Sequence, residues 1–123
     1  MMDRPTIAVI DDDESIRTAM RRVLQTGGYA VETFVSAESF LEVSAADQTE
    51  CLILDLCLEG ASGLELQQKL LDGERQIPIV FITSHHDERL RQSAMQAGAV
   101  DFLYKPVDTD TLLDTIQKAL EQM

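Results

Sequence analysis

Cys51-Leu52-Ile53-Leu54-Asp55 is a run of four apolar residues that ends abruptly in a carboxylate. A run this short and this apolar reads as a strand buried on both faces, the pattern of a parallel sheet. Asp55 then falls at the carboxyl end of the strand, and in open α/β sheets ligands gather just outside those ends. An aspartate in that place also serves as a turn or cap residue, so the neighbouring segments have to decide between packing and chemistry.

Upstream, Ile7–Ile10 (IAVI) is a second buried-strand run, and it too ends in acid, at Asp11, Asp12, Asp13 and Glu14. Ile16, Ala19, Met20, Val23 and Leu24 then recur at helical spacing until Gly27 and Gly28 stop the pattern. One carboxylate caps such a helix and others favour its positive end, which accounts for two of the four acids. Residues 29–34 alternate around Val31 and Phe34 as a short strand, and Ser36 is placed to cap a helix with Phe40 and Leu41 inward. A polar loop covers residues 45–50.

Downstream of Asp55, the loop 57–63 leads into Ser62-Gly63-Leu64-Glu65, the spacing of a capping box, and a helix through Leu64, Leu66, Leu70 and Leu71 that ends at Asp72-Gly73. Ile77–Ile82 is a fourth strand with Pro78 at its start, where a missing donor is tolerated, and it runs into Thr83 and Ser84. His85, His86 and Asp87 precede a helix carrying Leu90, Ala94 and Met95. Val100–Tyr104 is a fifth strand ending at Lys105-Pro106, and Asp108 caps a last helix with Leu112, Leu113, Ile116, Ala119 and Leu120 on one stripe. Five strands alternating with five helices predict an α/β domain with a mostly parallel sheet covered on both faces.

In that arrangement Asp11, Asp12, Asp55, Thr83 and Lys105 share one edge. Two carboxylates about 5 Å apart repel by roughly 3 kcal/mol at an effective dielectric near 20, so the cluster favours a divalent cation. A hard, oxygen-only site suits Mg²⁺, which keeps several waters and commonly bridges protein to phosphate. A lysine and a hydroxyl opposite complete a clamp for a phosphoryl group, and a carboxylate nucleophile that becomes an aspartyl phosphate is one solution to its transfer.

Composition bounds the rest. The 123 residues, 45% apolar, suffice for one domain, 1–123, with its own core. Twenty-two acidic against ten basic residues, a formal charge of −12 and no Lys/Arg block argue against nucleic-acid binding through this chain. No apolar run approaches the length of a membrane span and no secretory signal is evident, so a cytoplasmic protein is expected. Cys51 and Cys57 would lie about 20 Å apart in an extended segment, beyond disulfide reach, and read as free thiols.

The phrases Ile10–Asp13, Leu54–Leu56, Ile82–Ser84 and Tyr104–Pro106 resemble the receiver domain of two-component response regulators over essentially the whole chain. Ala97–Pro106 and Ser36–Phe40 are most similar to the FixJ-like branch, whose members usually carry a DNA-binding output domain. The resemblance implies a flavodoxin-like sheet of strand order 2-1-3-4-5. It implies Asp55 as phosphoacceptor, with Asp11, Asp12 and the backbone carbonyl of Cys57 joining it around Mg²⁺. Thr83 would be the switch hydroxyl, Lys105 the phosphate-pairing lysine and Phe102 a switch aromatic that rotates inward. A cis Lys105-Pro106 bond is implied as well. Expected partners are a sensor histidine kinase, an output domain or downstream protein, and a second copy docking through a face that carries Arg91, Val100 and Tyr104. Glu59 and Gly60 depart from the family pattern, in which proline often stands four residues after the acceptor, and Cys57 and His85 are unusual neighbours of Asp55 and Thr83.

Two other readings share these residues. A Mg²⁺-dependent phosphatase with an aspartate nucleophile usually has a second acid two residues on, where Cys57 stands here. A phosphorylation-independent binding module on the same fold is expected to have lost the acceptor or the lysine, and both are present.

Overall fold

The computed structural model describes residues 4–42, 48–58, 62–73 and 76–121. Strands β1 (Thr6–Ile10), β2 (Ala30–Phe34), β3 (Cys51–Asp55), β4 (Ile79–Thr83) and β5 (Asp101–Tyr104) alternate with helices α1 (Glu14–Thr26), α2 (Ala37–Glu42), α3 (Gly63–Asp72), α4 (Glu88–Gln96) and α5 (Thr109–Glu121). They form one parallel sheet in the order β2-β1-β3-β4-β5, as expected. The part of the expected 45–50 loop at 45–47, and Glu59 and Gly60, lie outside the described residues.

The two-residue period of a strand divides the apolar residues between two cores. Ala8, Ile10, Leu52, Leu54, Phe81 and Phe102 face a layer that includes Phe40, Leu66, Leu70 and Ala94 from α2, α3 and α4. Ile7, Val9, Ile53, Val80 and Ile82 face Met20 and Leu24 of α1 and Leu112 and Ile116 of α5. β3 sits at the middle of both, buried at every position. Cys51, buried within it, has its thiol pushed up to about 12 by loss of solvent, against a smaller opposing pull from a backbone hydrogen bond at Leu52. Both cysteines are free, with Cys57 exposed.

Caps fix where the helices begin. Asp13 accepts from the amides of Ser15 and Ile16, Ser62 from that of Glu65, Asp87 from those of Arg89 and Leu90, and Asp108 from that of Thr111. Ser36 likewise accepts from the amide of Ser39 at the start of α2.

Three apolar residues expected to face inward do not. Leu41 and Leu71 are 38% and 45% exposed, because each lies one residue beyond the side chain that takes the core position, Phe40 and Leu70. Ala19 is exposed on α1, whose inward stripe runs through Ile16, Met20, Val23 and Leu24. β4 begins at Ile79 rather than Ile77, since Pro78 has no amide for the ladder, although its carbonyl accepts from Leu52 N. Thr83 is the last residue of that strand rather than the first beyond it.

Gly63 sets how closely α3 approaches the end of β3. A Cβ there would lie 2.7 Å from the Asp55 carbonyl oxygen and 3.1 Å from Leu56 Cα, both main-chain atoms of the segment that positions Asp55. Gly63→Ala is therefore expected to lose about 1–3 kcal/mol through overpacking, despite alanine's better helix propensity. Gly73→Ala, whose added Cβ would come no nearer than 3.4 Å to its neighbours, should stay within about 0.5 kcal/mol of the parent. Urea denaturation of the two variants checks this, and equal stabilities would contradict it.

Candidate functional site

Parallel strands bring the residues that follow them to one edge of the sheet. β1 delivers Asp11 and Asp12, β3 ends in Asp55, β4 ends in Thr83, and Lys105 follows β5. One carboxylate oxygen from each of Asp11, Asp12 and Asp55 lies within 4.8 Å of the others, with Asp11 and Asp55 buried and Asp12 exposed.

Asp11 is held at every polar atom. Its amide donates to the Phe34 carbonyl at 3.1 Å, and its carbonyl accepts from Arg17 Nη1 at 2.8 Å. Its Oδ1 accepts from the Asp13 amide at 2.9 Å and its Oδ2 from Lys105 Nζ at 2.8 Å. Asp55 is held similarly, Oδ1 accepting from the Cys57 amide at 3.1 Å and Oδ2 from Lys105 Nζ at 3.2 Å. One ammonium group thus bridges two buried carboxylates. Asp13 and Glu14 stand apart from the cluster, the first as the cap of α1 and the second in its first turn.

These contacts set the protonation balance. Burial raises the Asp55 pKa and the negative charge of Asp11 adds to the rise, while the Cys57 amide and Lys105 pull against them. Lys105 is disfavoured as a cation by burial, but its hydrogen bonds to Asp11 and Asp55 and their charges outweigh that and raise its pKa. The donor set fits a hard divalent cation: three carboxylates within reach of one another, no nitrogen or sulfur ligand among them, and excess negative charge that one lysine only partly balances.

Thr83 is fully buried, and its Oγ1 accepts from the His85 amide at 3.0 Å. The Lys105 amide donates to the Thr83 carbonyl at 2.8 Å, tying the ends of β4 and β5 together beside the cluster. The Lys105-Pro106 peptide is cis. Phe102 is already buried, 5% exposed, with its ring centroid 6.0 Å from that of Phe81 and 5.6 Å from that of Tyr104.

Two features escape a reading of the sequence. Arg17, four residues after Asp13 on α1, secures the Asp11 carbonyl, and its only signal is a helical spacing that fits a surface arginine equally well. The rings of His86 and Tyr104 lie stacked, 4.1 Å between centroids and 7° between planes, linking the β4–α4 loop to β5.

Known proteins resemble this chain in sequence and fold. The model of the response regulator receiver domain matches residues 7–117. The chain is 40% identical over 116 residues to nodulation protein W of Bradyrhizobium diazoefficiens, an overlap of 94% of this chain and 51% of that protein. It is 36% identical over 118 residues to the transcriptional regulatory protein FixJ of Rhizobium meliloti, covering 96% of this chain and 58% of that one. The chain spans about half the length of the curated relatives it matches. Among solved structures, the response regulator StyR superposes with a TM-score of 0.90 at 45% identity, over 98% of this chain and 61% of that one. FixJ-N gives 0.88 at 35% identity, over 99% and 98%. A family match across all five strands, with relatives of this similarity, establishes that the chain belongs to the receiver domains of two-component response regulators.

Proposed function

We propose that this receiver domain is a phosphorylation-driven switch in which Asp55 accepts a phosphoryl group from a phosphohistidine of a sensor kinase. The observation that carries the reading is the single ammonium of Lys105, 2.8 Å from Asp11 and 3.2 Å from Asp55 in a cluster of three acids. In the transfer an Asp55 carboxylate oxygen forms the new P–O bond, the P–N bond to the donor histidine breaks, and the leaving imidazole keeps the bonding electron pair and takes up a proton. Asp11, Asp12, Asp55 and the backbone carbonyl of Cys57 would hold Mg²⁺, which when bound neutralises charge on the phosphoryl oxygens.

Lys105 turns from the carboxylate to the arriving phosphoryl oxygens, and the Thr83 hydroxyl donates to another of them. The domain is a signalling element rather than a turnover enzyme, as its family membership indicates. Its readout is the face of α4, β5 and α5, where Arg91, Val100 and Tyr104 are all half-buried. A second copy docks there once Asp55 is modified, and in the cytoplasm of the cell the signal passes to an output domain or downstream partner, of transcriptional type by the names of its relatives.

Incubation with acetyl phosphate followed by mass spectrometry tests the acceptor. The parent should gain one phosphoryl group only with Mg²⁺ present, and Asp55→Asn should gain none; full labelling of that variant would overturn the assignment. Metal affinity is the second expectation: titration calorimetry should find Mg²⁺ bound about tenfold or more weakly by Asp12→Ala, the equivalent of about 1.4 kcal/mol, and equal affinity would contradict it.

Stability gives a third. A carboxyl whose folded pKa is raised binds its proton more tightly folded than unfolded, so ionising it costs stability. That penalty is absent below the unfolded pKa and complete above the folded one. Asp55→Asn should therefore melt higher than the parent at pH 7 without metal, with the difference shrinking as pH falls toward the ordinary carboxylate range and gone below about 4. Added Mg²⁺ should raise the melting temperature of the parent more than that of the variant. A variant that melts lower than the parent at pH 7 would show that the acid stabilises the fold.

A further inference from the structure

Asp12 is the exposed acid of the cluster, and among the described residues no hydrogen bond or ion pair holds its carboxylate. Its aim therefore rests on the main chain that carries it. A peptide unit is planar, so only φ and ψ of Asp12 separate the unit before it from the unit after it. Both units are tied. The one before is held at the Asp11 carbonyl, which accepts from Arg17 Nη1 at 2.8 Å. The one after is held at the Asp13 amide, which donates to Asp11 Oδ1 at 2.9 Å. On either side the chain is secured again, the Asp11 amide donating to the Phe34 carbonyl at 3.1 Å and the Arg17 amide to the Asp13 carbonyl at 3.1 Å. The short loop between β1 and α1 thus runs between a tie to β2 and the first turn of α1.

We infer that Arg17 is a positioning residue of the metal site: by holding the Asp11 carbonyl it fixes the peptide that aims the Asp12 carboxylate at the cation. The inference rests on the reading that Asp11, Asp12 and Asp55 hold Mg²⁺. A hydrogen bond from a guanidinium to a carbonyl is short and strong, and the planar fork loses little freedom in making it. The charge of Arg17 works in the other direction, because a cation beside the acids repels an arriving metal ion. Positioning and charge therefore have opposite signs, and removal of Arg17 separates them. Mg²⁺ demands near-ideal octahedral geometry, whereas Ca²⁺ accepts a flexible arrangement of oxygens. A badly aimed Asp12 penalises Mg²⁺ more than Ca²⁺, while a change of charge acts on both ions alike. Arg21, one turn further along α1, supplies a comparison. Its guanidinium donates to Thr33 Oγ1 at 3.0 Å and to the Val31 carbonyl at 3.4 Å, so it fastens the same helix to β2 without reaching the loop that carries Asp12.

Nuclear magnetic resonance titrations of the full chain with Mg²⁺ and, separately, with Ca²⁺ test this through the backbone amides, without any phosphoryl transfer. Arg17→Met keeps the apolar stem and removes both charge and donors. It should bind Mg²⁺ about tenfold more weakly than the parent, but Ca²⁺ less than about threefold more weakly, so that the preference for Mg²⁺ falls. Arg21→Met loses the same charge from the same helix and should stay within about twofold of the parent for both ions. Combined with Asp12→Ala, Arg17→Met should cause no further loss, because the two residues act as one unit. Arg17→Lys keeps the charge without the fork, and its preference for Mg²⁺ should fall part of the way; this variant carries the test if Arg17→Met does not fold. Mg²⁺ bound equally or more tightly by Arg17→Met leaves charge as the only role of Arg17 and overturns the inference. Equal losses for the two ions, an unchanged preference in Arg17→Lys, or a further loss in the Asp12→Ala background overturns it as well, and each of these leaves the metal site standing. A parent chain that binds no Mg²⁺ at the acid cluster overturns the site itself, and the role of Arg17 falls with it.

Discussion

One ammonium group shared by two buried carboxylates is the constraint around which this domain is arranged. Asp11 and Asp55 arrive from neighbouring strands and have almost no access to water, and ionised carboxylates in such a place require compensation. Lys105 supplies it to both at once, from a position 94 residues away from Asp11 in sequence. Three negative charges with Asp12 against one positive leave the cluster under-compensated, so it retains an appetite for further cations.

The sheet makes that sharing possible. Parallel strands point the same way, so residues that follow β1, β3, β4 and β5 meet at one edge whatever their distance along the chain. Burial on both faces then removes the freedom of that edge to relax: β3 is buried along its whole length, and Gly63 lets the start of α3 press directly on the backbone of Asp55. Asp11 gains further rigidity from Arg17, which holds its carbonyl. Charge, packing and backbone hydrogen bonding thus converge on the same two acids.

Much of this is readable in the amino-acid sequence because it depends on local pattern. A buried strand ending in acid is visible in Cys51–Asp55 and Ile7–Asp11, and the order of strands and helices follows from the alternation of their periods. Leu41, Leu71 and Ala19 mark the limit, since periodicity alone does not say which of two adjacent apolar residues owns a core position. The strand order and the cis Lys105-Pro106 bond came from resemblance, not from residue patterns. The division of Lys105 between two acids and the stack of His86 on Tyr104 had no signal at all, because both join residues from separate strands or loops through side-chain geometry.

In the proposed function Lys105 is a counter-ion on loan, bound to Asp11 and Asp55 until a phosphoryl group arrives to replace the acceptor carboxylate as its partner. A crystal structure of the full chain with Mg²⁺ and beryllium trifluoride tests this most directly. The beryllium should lie on an Asp55 oxygen, with Lys105 Nζ moved from Asp55 Oδ2 to a fluorine and the metal beside Asp11 and Asp12. A bound mimic at Asp55 with Lys105 still bridging the two carboxylates, or a mimic seated away from Asp55, would contradict it.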